Sequence, residues 1–213
     1  MSRRPTVTTD RPVVRSAVVL AGGRSRRFGP ADKALAPIGG RAMVARVADR
    51  AGGVADEVIV NCRPAQRDRI AAVLDGDVRF AVDPPARVDG GPVAGLHTGL
   101  EAARAPLAAV VPCDVPRLPP ALLDLLFVRT RDGDAAGAVP GDGERTPLPL
   151  PGVYRTAPAL TACEAVGAGG SLRAVTDRLD PLVLPPAAVR GHASPGALAD
   201  VDRPSGLPDA GPD

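Results

Sequence analysis

The sequence contains few aromatic residues. Its 213 residues include three phenylalanines, one tyrosine and no tryptophan, so the core is expected to be aliphatic. Proteins that bind single-stranded nucleic acid stack the bases on aromatic side chains, and this composition therefore disfavours nucleic acid as a partner. The net charge of +2 likewise disfavours proteins that wrap DNA or bind a membrane surface.

Cysteines and long hydrophobic runs are also scarce. Cys62, Cys113 and Cys163 are odd in number and too far apart for a CxxC metal pair, which argues against a disulfide scaffold. No hydrophobic run approaches the roughly 18 residues that span a bilayer, and no signal-peptide pattern is evident. These absences lead us to expect a cytoplasmic protein with no membrane contact.

Short β-branched, hydrophobic segments alternate with segments typical of helices. This alternation predicts an α/β fold, with a single three-layer α/β/α domain and a Rossmann-like, mainly parallel sheet. We expect a flexible tail at 1–14, one domain at 15–202 and a second tail at 203–213. The predicted strands are 16–21, 57–61, 78–82, 107–111, 135–139 and 148–154. The predicted helices are 41–51, 64–74, 92–104, 119–129, 157–166 and 171–179.

Polar residues and a glycine turn follow the first four predicted strands. Ligands of such sheets bind beyond the carboxyl ends of the parallel strands, so residues at these positions are expected to share one site. The positions are occupied by Gly22, Gly23, Asn61, Asp83 and Asp114.

The segment LAGGRSRRFGPADK, residues 20–33, has the composition of a loop that binds a polyanion. Glycines directly after a strand let backbone amides approach phosphate oxygens. Arg24, Arg27 and Lys33 add charge-assisted hydrogen-bond donors. The spacing fits neither a Walker A loop nor a GxGxxG turn. Taken alone, the segment is also consistent with a tight turn that carries exposed charges.

Together with later segments, this loop resembles the signature of the molybdenum cofactor guanylyltransferase family of MobA type. The resemblance covers about residues 16–207 and implies a fold of the glycosyltransferase-A, or nucleotide-diphospho-sugar transferase, type. The later segments are GGPVAGLHTGLEA at 90–102, PCDVPRLP at 112–119 and, more loosely, PLPGVYR at 149–155, GGSLR at 169–173 and DVDRP at 200–204.

The resemblance also implies which residues bind GTP and which promote catalysis. The GTP-binding residues would be Leu20, Ala21, Gly22, Gly23, Lys33, Asn61, Asp83 and Asp114. Asn61 and Asp83 would line the nucleoside pocket, and Lys33 would contact the phosphates. Arg27 or Arg24 would assist Lys33, and the sequence does not distinguish between these two arginines.

Mg²⁺ is the expected cofactor, with Asp114 as its ligand. This ion usually takes one or two carboxylates together with phosphate oxygens, which suits an aspartate directly after a strand. The alternative for Asp114 is a turn residue before a proline. Asp202 is a second candidate ligand, at a position where the family usually has asparagine.

The implied reaction transfers GMP from GTP to molybdopterin that carries molybdenum, and it releases pyrophosphate. The attacking group would be the terminal phosphate of molybdopterin. Its second pKa is about 6, so it is largely ionised at pH 7 and requires no strong general base. His97 is accordingly expected to be a partly buried structural residue, and His192 lies in a loop.

Two alternatives stay open at this point. A related nucleotidyltransferase could use CTP or another phosphorylated acceptor, although cytidylyltransferases tend to have LAAG where this chain has LAGG at 20–23. A non-catalytic nucleotide-binding protein could share the same fold. The resemblance further implies transient contacts with molybdenum-cofactor assembly proteins or molybdoenzyme chaperones.

Overall fold

A seven-stranded sheet forms the centre of the protein. The computed structural model describes residues 14–23, 32–141 and 149–201. The strands of this sheet are β1 (Arg15–Leu20), β4 (Glu57–Cys62), β5 (Val78–Val82), β6 (Leu107–Pro112), β7 (Gly137–Pro140), β8 (Gly152–Arg155) and β9 (Leu182–Leu184). Their order is β5-β4-β1-β6-β8-β7-β9. Strand β8 is antiparallel to both of its neighbours, and the other pairs are parallel.

Helices cover both faces of the sheet. They are α1 (Met43–Gly52), α2 (Arg67–Ala71), α3 (Gly91–Ala102), α4 (Pro120–Asp132), α5 (Thr156–Val166), α6 (Leu172–Leu179) and α7 (Pro186–Arg190). One hydrophobic cluster joins α1, α2 and α4 to the sheet, and a second joins α3, α5 and α6. Along β6, Ala109 and Val111 belong to the first cluster, and Ala108 and Val110 to the second. The three-layer, mainly parallel α/β fold is therefore confirmed.

The core is aliphatic, as the composition predicts. Phe127 and Tyr154 are the buried aromatic residues among those described, and valine, leucine, isoleucine and alanine fill most of the remaining core. None of the helices in the described residues is long and hydrophobic enough to cross a bilayer. The predicted tail at 1–14, apart from Val14, and all of 202–213 lie outside the described residues.

Several predicted boundaries were wrong. The helix expected at 64–74 is a 3-10 turn, Pro64–Gln66, followed by the short α2. The strand expected at 148–154 begins only at Gly152 and continues to Arg155, after two prolines, which lack the N–H that a ladder requires. The helix expected at 41–51 begins at Met43, because the two preceding residues belong to a small hairpin.

Four elements were not predicted. They are the 3-10 turn Lys33–Leu35, this hairpin, formed by β2 (Pro37–Ile38) and β3 (Arg41–Ala42), and also β9 and α7. The hairpin turns at Gly39 and Gly40, which both have positive φ (54° and 80°), as a two-residue turn of this kind requires. Strand β9 has three residues and α7 has five, too few to show a periodic pattern.

Candidate active site

A cavity of about 710 Å³ opens at the carboxyl edge of the parallel strands. A volume of this size is typical of small-molecule sites. Six of the residues predicted for the site line it, namely Leu20, Gly22, Gly23, Asn61, Asp83 and Asp114. Leu150 and Leu172, from the second half of the chain, line the same cavity. The structure thus brings together six predicted residues that lie up to 94 positions apart in the sequence, from 20 to 114.

Asn61 and Asp83 form a buried polar pair on the floor of the cavity. The amide nitrogen of Asn61 donates to Asp83 Oδ1 at 2.7 Å and to the Ala81 carbonyl at 3.0 Å. Two glycines make room for this pair. A Cβ at Gly95 would lie 2.6 Å from Asn61 Oδ1, and one at Gly22 would lie 3.2 Å from the same atom. Glycine at these positions lets α3 and the first loop close directly over the amide.

The environment of Asp83 changes its acidity. Burial raises the pKa of its carboxyl above the ordinary value of 3.8, although hydrogen bonds from Asn61 and Thr98 act in the opposite direction. When ionised, the carboxylate is purely a hydrogen-bond acceptor. Asp83 therefore suits a ligand group that presents N–H donors.

Lys33 and Asp114 meet at the edge of the same cavity. Lys33 Nζ lies 2.7 Å from Asp114 Oδ2, and their side chains are only 11% and 23% exposed. Lys33 opens the 3-10 turn Lys33–Leu35, and Asp114 lies two residues beyond β6. The amide of Val201 donates to the Asp114 carbonyl at 2.9 Å, which brings the chain just before position 202 to this loop.

The described side chains could hold a magnesium ion only together with oxygen atoms supplied by a bound substrate. Within residues 14–23, 32–141 and 149–201, no three histidine, cysteine or acidic side chains are grouped so that they could hold a metal. Among the carboxylates that line the cavity, that of Asp114 lies beside Lys33, and one such carboxylate matches the usual Mg²⁺ site, in which phosphate oxygens and water complete the coordination. Arg24, Arg27 and Asp202 lie outside the described residues.

Gln66 is a functional candidate that the sequence reasoning missed. Its side chain is 2% exposed, and its amide nitrogen donates to the Ala21 carbonyl at 3.1 Å and to Asp32 Oδ2 at 2.8 Å. Ala21 and Asp32 flank the loop that carries the glycines and arginines. The sequence offers no signal for this contact, because Gln66 lies in a polar segment that was predicted to be an ordinary helix.

Arg87 is a second missed residue. It lines the cavity and forms a bidentate ion pair with Glu101, with Arg87 Nη2 lying 3.0 Å from Glu101 Oε1. His97 Nε2 lies 3.5 Å from the same Glu101 oxygen, and the His97 side chain is 15% exposed. His97 is thus partly buried, as predicted. His192 is exposed, and its Nδ1 lies 3.0 Å from the Ala188 carbonyl.

Known proteins share both the sequence and the architecture described above. Residues 17–182 match the family model of the MobA-like NTP transferase domain. The chain is 44% identical over 191 residues to the probable molybdenum cofactor guanylyltransferase of Haloferax mediterranei, and the match covers 88% of this chain and 89% of that protein. A protein of the same name from Natronomonas pharaonis is 40% identical over 196 residues, with 91% and 95% covered.

The fold also resembles a solved structure. This is the molybdopterin-guanine dinucleotide biosynthesis protein A from Archaeoglobus fulgidus, with a TM-score of 0.75 and 20% identity. The match covers 90% of this chain and 94% of that one. At this identity the likeness concerns the fold alone, whereas the family model and the two relatives match the sequence itself. The chain therefore belongs to the MobA-like NTP transferase family.

Proposed function

We propose that the chain is a molybdenum cofactor guanylyltransferase, which transfers GMP from GTP to molybdopterin that carries molybdenum. The observation that carries this proposal is the contact of Lys33 with Asp114, at 2.7 Å, on the edge of the cavity that Asn61 and Asp83 line. Groups suited to phosphate and metal therefore adjoin a polar pocket suited to a base. Relatives that share about nine tenths of the chain bear the same name.

Asp83 would select guanine over the other bases. Guanine presents two neighbouring N–H donors, on N1 and on the 2-amino group, and an ionised carboxylate offers the matching acceptors. Cytosine presents acceptors at N3 and O2, which would face the same carboxylate unfavourably. A Cβ at Gly23 would meet no atom of the described residues within 4 Å, whereas one at Gly22 would lie 3.3 Å from Asp83 Oδ2.

Lys33 and Asp114 would act on the triphosphate. Asp114 would hold Mg²⁺, and a bound magnesium ion supplies positive charge that neutralises the phosphates during transfer. Lys33 would donate to phosphate oxygens, exchanging its contact with Asp114 for one with the substrate. Arg27 or Arg24 would add a second cation, and Asp202 a second carboxylate.

The acceptor would attack the α-phosphorus with its own phosphate oxygen. That phosphate is already largely ionised near neutral pH, so the reaction requires positioning and charge neutralisation more than a general base. Leu150 and Leu172 line the cavity from the second half of the chain, and the acceptor would approach on their side. We place the protein in the cytoplasm, where it would contact cofactor assembly proteins or molybdoenzyme chaperones transiently.

Pyrophosphate release tests the proposed reaction. With molybdenum-loaded molybdopterin and Mg²⁺, GTP should release pyrophosphate stoichiometrically with the dinucleotide product, because the cavity provides acceptors for guanine. CTP, UTP and ATP should react at least about tenfold more slowly, equivalent to the 1.4 kcal/mol that a single mismatched hydrogen-bonding group costs. Equal or faster release from CTP would contradict the assignment of GTP.

Lys33→Ala separates phosphate contacts from nucleoside contacts. Loss of a charged hydrogen bond worth about 1.5–3 kcal/mol should weaken Mg²⁺-GTP binding by roughly 10- to 100-fold. Guanosine lacks phosphates, so its affinity should stay within about threefold of the wild-type value. Calorimetric titration of both ligands measures the two effects. An equal loss of affinity for both ligands would show that Lys33 does not contact the phosphates.

The acidity of Asp83 predicts a pH dependence of guanosine binding. Burial raises the pKa of Asp83 above 3.8, so its carboxylate is protonated at a higher pH than an ordinary aspartate. Binding requires the ionised form, and guanosine affinity should therefore be full at neutral pH and decrease as the pH falls through this raised value. Asp83→Asn should bind guanosine weakly at neutral pH and lack this decrease. A parallel decrease in both proteins would show that Asp83 does not contact the base.

A further inference from the structure

Gln66 connects the two ends of the loop that is proposed to bind the triphosphate. Ala21 directly follows β1, and Asp32 lies eleven positions later, directly before Lys33. Both hydrogens of the Gln66 amide are used, one on the Ala21 carbonyl at 3.1 Å and the other on Asp32 Oδ2 at 2.8 Å. The side chain is 2% exposed, so water competes little for these bonds.

Other contacts fix the orientation of the Gln66 amide. Gln66 Oε1 accepts from the backbone N–H of Arg63 and from Arg63 Nε, both at 3.1 Å. A rotated amide would place its NH₂ group against these donors and its oxygen against two acceptors. The 3-10 turn Pro64–Gln66 begins two residues after the end of β4, so the sheet positions the amide.

Asp32 connects the Gln66 amide to the turn that contains Lys33. One Asp32 oxygen accepts from Gln66, and the other accepts from the amide of Ala34 at 3.2 Å, which caps the turn that begins at Lys33. Lys33 then reaches Asp114 at 2.7 Å. A lysine that is ordered in advance loses less conformational entropy when it binds phosphate.

We propose that Gln66 is a positioning residue for the triphosphate. Gln66 keeps Lys33 at a fixed position relative to Gly22 and Gly23. The proposal rests on the proposed role of Lys33 as a phosphate contact. The other end of the loop has a separate anchor, because the amide of Ala21 donates to the Asn61 carbonyl at 2.9 Å. Loss of Gln66 should therefore release the Lys33 end and leave the nucleoside pocket in place.

Gln66→Glu tests the contact with little change in shape. Glutamate keeps the oxygen that accepts from Arg63, loses both donors and places a negative charge beside Asp32. Mg²⁺-GTP affinity should fall by about 10- to 100-fold, the range expected when a reacting group is displaced, and guanosine affinity should stay within about threefold. Adding Asp32→Asn restores one donor across the contact and should recover part of the GTP affinity.

Three further variants make the result decisive. Thr130→Val removes a hydroxyl that is 1% exposed and bonded to the Leu126 and Val153 carbonyls, so it should lower thermal stability without changing either affinity. Asp32→Ala cuts the Gln66 contact from the other side and should reproduce the selective loss of GTP affinity even if Gln66→Glu does not fold. Lys33→Ala is measured in parallel as the reference for a lost phosphate contact.

Each outcome decides for or against the role of Gln66. Wild-type GTP affinity in the Gln66→Glu and Asp32→Ala variants would overturn it while leaving the role of Lys33 intact. Equal losses of GTP and guanosine affinity would also overturn it, because they would indicate general damage to the site. If Lys33→Ala itself shows no selective loss of GTP affinity, the phosphate role of Lys33 and the positioning role of Gln66 both fail.

Discussion

Two opposite charges, 81 positions apart in the chain, meet at 2.7 Å where the loops after β1 and β6 converge. The Lys33 ammonium and the Asp114 carboxylate are largely withdrawn from water, and such burial is tolerated because each ion has a partner. The backbone on either side fixes the position of each ion. Asp114 lies two residues beyond the end of β6, and Lys33 lies in the 3-10 turn that Asp32 caps and to which Gln66 is bonded. In the proposed reaction, this pair would stay in place until a phosphate and a metal replace the mutual contact.

The proposed nucleoside pocket depends on a different constraint, the close approach of α3 to the sheet. A Cβ at Gly99 would lie 2.3 Å from Val18 Cγ1, and one at Gly95 would lie 2.6 Å from Asn61 Oδ1. The helix therefore lies directly on β1 and on the Asn61 amide, which leaves Asp83 as a buried acceptor at the cavity floor. Small residues along α3 thus serve both the core and the site.

The sequence was sufficient to predict the parallel half of the sheet and the residues at its edge. Hydrophobic runs in β1, β4, β5 and β6 end at polar residues, and strand ends of a parallel sheet converge for geometrical reasons. The reversed direction of β8 could not be predicted, because a hydrophobic run has the same pattern in either direction. Strand β9 and helix α7 are too short to leave a periodic signal.

Side-chain contacts between distant segments could also not be predicted from a single sequence. Gln66 and Arg87 have no motif around them, and their importance becomes visible only when their partners, Asp32 and Glu101, are brought near by the fold. That Lys33 and Asp114 belong to the same site could be predicted from their positions in the family signature. Their mutual contact could not, since it depends on how two loops meet.

The most direct test of this account is the magnesium dependence of GTP binding in the wild type and in Asp114→Asn. We expect Mg²⁺ to increase the GTP affinity of the wild type by at least about tenfold, equivalent to 1.4 kcal/mol. Asp114→Asn should show no such increase, and its guanosine affinity should match the wild type. An equal magnesium effect in both proteins would contradict the central claim that Asp114 links the metal to the triphosphate.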